Sequence, residues 1–143
     1  MSEAAYVDSS CLVAIALGET VAKRIAARIA GFRVILAHPL LDAEVRCACA
    51  REGQPLPDAE LQLVHWIDVD RPLSDDIARV LSAGYVRGAA CPHLATALYL
   101  APDPRPLTFL PLDQRPRAVP RALGFRTRTR IPNTPAPPPA TRH

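Results

Sequence analysis

Residues 5–19 read AYVDSSCLVAIALGE. Residues 4–8 fit a short apolar strand that ends on Asp8. Ser9 or Ser10 then caps an apolar helix through Leu17. Asp8 and the terminal Glu19 are the only charges in the stretch. A carboxylate set between two apolar segments is costly to bury unless it is paired, neutralised or given a metal. The unit strand, acid, helix is therefore the point from which the rest of the chain is read.

Working outward, the same alternation recurs. Gly18-Glu19-Thr20 breaks the first helix, and Val21, Ile25 and Ile29 supply the apolar stripe of a second, closed by Gly31. Residues 33–37 form a short apolar strand. Pro39 suits the first turn of a third helix reaching about Gly53. Pro57-Asp58 opens a helix through Trp66, and residues 67–70 read as a third strand. Ser74 caps a helix with Ile77, Val80, Leu81 and Tyr85 on one face. Pro92 opens another with Leu94 and Leu98 inward. Residues 107–110 form a fourth strand, and Asp113 starts a last helix ending near Gly124. Strands alternating with helices predict an α/β fold with a mainly parallel sheet, whose function gathers at the carboxyl ends of the strands.

At 143 residues the chain fits one domain with a single core. Hydrophobic residues make up 49%, too many for a disordered chain, and aromatics only 5%, so the core must rely on Ala, Val, Leu and Ile. Acids at Glu3 and Asp8 argue against a signal peptide. The least charged stretch, 88–102, is too short to span a bilayer, so a cytoplasmic protein without a membrane partner is expected. The four cysteines, Cys11, Cys47, Cys49 and Cys91, read as reduced core residues. Charge is uneven. Residues 1–113 carry 10 basic and 14 acidic groups, a net of −4, while seven arginines and no acid follow Asp113. A basic end on an acidic body suits a polyanion or an acidic partner, although terminal arginines are often simply solvated.

Three acids stand beside apolar residues at element boundaries: Asp8, Glu44 in LLDAEVRCACARE (40–52) and Asp113 in LTFLPLDQR (107–115). Each alone has an ordinary explanation, as a helix cap or a solvated face. Gathered in one pocket they would repel unless a hard divalent cation, Mg²⁺ or Mn²⁺, neutralised them. Zinc does not fit: Cys47-x-Cys49 and Cys91-x-His93 place residues two apart on a helix, pointing about 200° apart.

The order of these blocks resembles a known family. YVDSSCLVAIALGE (6–19), LLDAEV (40–45), RGAACPHLATAL (87–98) and LTFLPLDQRPRAVPRALGF (107–125) are similar to the successive blocks of PIN domains, and most of all to the VapC-like ribonuclease toxins of bacterial toxin–antitoxin pairs. The resemblance covers residues 1–126. It implies a mainly parallel sheet of about five strands with helices on both faces, and a Mg²⁺ or Mn²⁺ site that hydrolyses RNA phosphodiester bonds. It further implies a homodimer held by a VapB-like antitoxin. Carried over by position, Asp8, Glu44 and Asp113 match the first, second and fourth acids of the family site, and Ser10 the hydroxyl residue accompanying the first. Arg115 and Arg117 are placed to meet RNA phosphates.

The family's third acid falls on Ala90, which offers no ligand. Pro120 falls inside the expected last helix, where proline costs about 3 kcal/mol. A second reading follows from these departures: a catalytically silent PIN-like module that binds RNA or a protein partner without cutting.

Residues 127–143, TRTRIPNTPAPPPATRH, lack periodicity and read as a disordered Pro/Arg-rich tail. Too few apolar side chains are present there to offset the entropy of ordering. Deleting residues 131–143 is therefore expected to leave the melting temperature unchanged within about 2 °C, measured by circular dichroism; a fall of many degrees would show the segment docked on the domain.

Overall fold

Four short strands pair in parallel, in the order β3-β2-β1-β4. The computed structural model describes residues 4–86, 90–110 and 118–127. In chain order the elements are β1 (Ala4–Val7), α1 (Ser9–Ala16), α2 (Ala22–Ala30), β2 (Val34–Ala37), α3 (Leu40–Glu52), α4 (Asp58–Leu63), β3 (Val64–Trp66), α5 (Ser74–Ala83), α6 (Ala90–Leu100), β4 (Thr108–Leu110) and α7 (Ala118–Leu123). Arg126 adds a single parallel bridge to Thr108. It donates to the Leu107 carbonyl at 3.0 Å and accepts from the Phe109 amide at 2.8 Å. The described sheet thus has four strands and a one-residue extension beyond β4.

Side-chain alternation along β1 divides the core into two layers. Ala5 and Val7, with Ile35, Ala37, Val64 and Leu110, face Cys11, Leu12, Ile29, Leu41, Val45, Cys49 and Leu61 from α1 to α4. Tyr6 and Phe109 face the other way, against Val80, Leu94, Leu98, Val119 and Leu123 from α5 to α7. Helices therefore cover both faces, as a parallel sheet requires. Tyr6 stacks on Phe109 with ring centroids 5.6 Å apart, and Phe125 leans on Phe109 at 5.9 Å. Residues 93–98 of α6 are buried on every side, so this helix lies inside the second layer. Among the described residues no helix is long and apolar enough to cross a membrane.

Several expectations are corrected. The helix at 58–66 stops at Leu63, and the third strand is Val64–Trp66, three residues ahead of the expected 67–70. The register Ile35↔Val64, Leu36↔His65, Ala37↔Trp66 decides this, because it turns Val64 into the first layer while α4 keeps Leu61 there. The inward stripe of α5 is Ile77, Val80 and Ala83. Leu81 is 51% exposed, and Tyr85, beyond the helix end, is 85% exposed. Cys47 is exposed and Cys49 buried, so they do point apart, and Cys47 is no core residue.

Pro120 lies in α7, as the third of its described residues. The helix closes at Gly124, with φ 104°, where the Phe125 amide donates to the Pro120 carbonyl and the Gly124 amide to that of Arg121. Thr127 is buried, so the packed chain runs one residue past the expected boundary. The rest of the expected tail, and the start of the last helix at Asp113, lie outside the described residues.

Truncating one buried and one exposed leucine checks the layer assignment. Leu98→Ala, in the centre of α6, should destabilise by about 2–5 kcal/mol in urea unfolding, whereas Leu81→Ala should change stability by less than about 0.5 kcal/mol.

Candidate functional site

The chain runs outward from β1 through β2 to β3, then returns to place β4 on the other side of β1. The carboxyl end of β1 is therefore the switch point of the sheet, where open parallel sheets present a crevice. Asp8 stands there. Its amide donates to the Leu110 carbonyl at 3.2 Å, continuing the β1–β4 pairing by one residue. The Cys11 thiol donates to the same carbonyl at 3.0 Å, and burial raises that thiol well above its ordinary value, so it remains protonated.

Asp8 occupies the cap position of α1, with φ −77° and ψ 148°, yet its side chain makes no capping hydrogen bond. Its carboxylate instead lies 3.3 Å from the Ser9 hydroxyl, and the same hydroxyl lies 3.2 Å from Oε2 of Glu44. Glu44 is brought there by α3, whose Leu41, Val45 and Ala48 pack inward and so fix the face on which Glu44 stands. A hydroxyl has one proton and can satisfy only one of the two carboxylates at a time. Both distances exceed the usual 2.7–2.8 Å or so of an O–H···O bond. Two anionic oxygens facing one proton leave a place for a positive charge.

The other oxygen of Glu44, Oε1, is 2.6 Å from Nε2 of His93 on α6. Nδ1 of His93 is 2.8 Å from the Tyr6 hydroxyl, which also accepts the His38 amide at 3.1 Å. Tyr6 is fully buried, and burial raises its phenol well above its ordinary value, so it keeps its proton. A carboxylate accepts, so it is Nε2 of His93 that carries the proton directed at Glu44. The run from His38 through Tyr6 and His93 to Glu44 crosses the carboxyl edge of the sheet and joins the two layers.

The structure thus brings together Asp8 and Glu44 of the expected acids. Asp113, Arg115 and Arg117 lie outside the described residues, between Leu110, paired with Val7 at this edge, and Ala118. The hydroxyl reaching both acids is that of Ser9; Ser10, singled out by the resemblance, is one residue on and about 100° round the helix. Ala90 is the first residue of α6 and packs on the second layer. Among the described residues no group of three or more ligating side chains gathers. Two carboxylates are nonetheless a sufficient protein contribution for Mg²⁺, which commonly retains waters and takes further oxygens from substrate phosphates. The all-oxygen donor set and the proton-poor gap at Ser9 fit that cation.

Sequence reasoning read Ser9 only as a helix-cap candidate and His93 only within a rejected zinc pairing, and gave Tyr6 and His38 no role. The available signal was polar residues within apolar runs: a tyrosine in the middle of β1 and a histidine opening HLATAL both need partners once buried. No protein-family model, curated protein or solved structure matches this chain.

His38 gives this edge a pH dependence. Its Nδ1 accepts the Leu40 amide at 2.9 Å, which the protonated ring cannot do. Burial holds His38 below its ordinary value; His93 nearby adds to this and Glu44 opposes it. The folded state favours the neutral ring. This stabilisation is fully present above the unfolded value of about 6.5 and is lost as pH falls through the lower folded value. His38→Asn keeps a cap acceptor without the titration. It should flatten the decline in unfolding free energy between pH 7 and 5 measured in urea; an unchanged slope would show that His38 is not linked to folding.

Proposed function

We propose that the chain is a PIN-like, VapC-like endoribonuclease that uses Mg²⁺ or Mn²⁺ to hydrolyse RNA phosphodiester bonds. The observation that carries this reading is the single Ser9 hydroxyl within reach of both Asp8 and Glu44 at the switch point of a parallel sheet. Asp8 and Glu44 would hold the cation, with Asp113 as a further ligand carried over by sequence position. When bound, the cation supplies Lewis-acid polarisation of a phosphodiester oxygen and activation of a water.

The chain's own residues do the rest. Asp8 and Glu44 collect positive charge at the carboxyl edge of the sheet. Ser9 keeps the two carboxylates facing one another. Arg115 and Arg117, on the segment after β4, would meet RNA phosphates and set the salt dependence of binding. An antitoxin of the VapB-like kind and a homodimeric assembly belong to the same proposal, as does a cytoplasmic setting.

A specific observation supports a second reading. Ala90 puts a methyl group at the start of α6, packed on the core where the family pattern has a carboxylate. A site short of one anion holds its cation less firmly, and a loss of roughly 100-fold in affinity corresponds to about 2.8 kcal/mol. The chain would then serve as a silent module that binds RNA or a protein partner.

One set of variants separates the readings. Mn²⁺ binding is followed by calorimetry and cleavage with a generic single-stranded RNA. The wild-type protein should bind and cut, Ala90→Asp should bind more tightly and cut faster, and Asp8→Asn and Glu44→Gln should abolish both. Cutting by Ala90→Asp alone favours the silent module as the natural state. Metal binding and cleavage that persist unchanged in Asp8→Asn would overturn the nuclease site altogether.

A further inference from the structure

The side chain outside the proposed ligand set with the most constrained surroundings is His93. It is fully buried, yet both ring nitrogens are engaged, one on β1 and one on α3. A histidine kept only for packing needs a partner for each nitrogen, but any carbonyl or hydroxyl of its own layer would serve. His93 instead reaches out of the second layer, around the carboxyl edge, to a carboxylate on a helix of the first. Glu44 itself is only partly covered, its side chain 23% exposed. Nothing in the packing of α3 alone would hold it to one rotamer.

We infer that His93 is a positioning residue: held by Tyr6 at its other nitrogen, it ties down Oε1 of Glu44 and so turns Oε2 to a divalent cation shared with Asp8. This rests on the metal-site reading given above. A carboxylate accepts, so Nε2–H of His93 points at Oε1, while the bond between Nδ1 and the Tyr6 hydroxyl holds the ring from its other side. With Oε1 held by His93, the orientation of the carboxylate is set. The remaining oxygen is the one already facing Ser9 and Asp8. A carboxylate held in this way loses little freedom when a cation arrives. In a chain whose α6 begins with Ala90, that ordering matters more, because no carboxylate from α6 helps to hold the ion. Partners that orient a ligand in this manner commonly change metal affinity by about 10–100-fold when removed.

The test compares His93→Gln, His93→Leu and Tyr6→Phe in the full chain. The amide nitrogen of Gln can replace Nε2 as a donor to Glu44; Leu cannot. Mn²⁺ affinity by calorimetry should fall about 10–100-fold in His93→Leu, stay within about threefold of wild type in His93→Gln, and fall by an intermediate factor in Tyr6→Phe, where Nδ1 has lost its partner. Both His93 variants leave the Tyr6 hydroxyl without its ring partner and should melt below wild type. Melting temperature therefore does not sort them, and affinity does.

A second readout needs no metal. In protein carrying ¹³C-labelled glutamate carboxyls, the Glu44 resonance should move in His93→Leu and remain near its wild-type position in His93→Gln. His93→Leu with wild-type Mn²⁺ affinity, or His93→Gln as weak as His93→Leu, overturns the positioning role. So does a Glu44 resonance that is unchanged in His93→Leu. If His93→Leu does not fold, wild-type affinity and an unmoved Glu44 resonance in Tyr6→Phe overturn it equally. A wild-type protein that takes up no Mn²⁺, but whose Glu44 resonance moves in His93→Leu, overturns the metal site and leaves the hold on Glu44 standing.

Discussion

A phenol in the middle of an apolar sheet must have its hydroxyl satisfied, and the site depends on how Tyr6 meets that demand. An unpaired buried hydroxyl costs about 1–3 kcal/mol. Tyr6 has no exposed surface. Its ring belongs to the second layer, stacked on Phe109, while its oxygen lies at the carboxyl edge between the His38 amide and His93. One atom thus ties the end of β2 to the start of α6. Through His93 it is linked to Glu44. The polar edge of the sheet is a connected chain, and such chains are rigid when every member is satisfied.

The topology explains why Asp8 and Glu44 meet at this edge. Because β4 returns to the other side of β1 from β2, the carboxyl end of β1 lies between those of its two neighbours. Asp8 is the first residue past β1 there. The amino end of α1 favours its negative charge, while its side chain turns away from capping towards Ser9 and Glu44. Asp8 thus sits at a cap position without acting as a cap. From α6, it is His93 that reaches this edge, through its contact with Glu44, while Ala90 packs on the second layer.

Much of the fold was legible because it is local. The alternation in residues 4–7, the helix-breaking glycines at 18, 31, 53 and 124, and Pro39 before α3 each act over a few residues. The expected elements there agree with the observed ones to within a residue or two. Misreadings came where two local signals competed. Residues 64–67, VHWI, can continue a helix or pair as a strand, and parallel register with β2 decided for the strand. Leu81 and Tyr85 fit a helical stripe, but α5 ends before Tyr85 and packs along 77, 80 and 83. The two acids that meet were legible as candidates from their boundary positions; the Ser9 hydroxyl within reach of both was read only as a helix cap.

By itself the sequence determined the α/β alternation, the parallel sheet and the presence of acids at the ends of elements, because apolar periodicity and turn residues act at short range. Only the tertiary structure decided which polar side chains meet. Ser9 and Glu44 are 35 residues apart, Glu44 and His93 are 49, and Tyr6 and His93 are 87. No local pattern encodes such pairs. They form because the strand order closes β4 against β1 and because a buried polar atom must take whichever partner the packed layers bring to it.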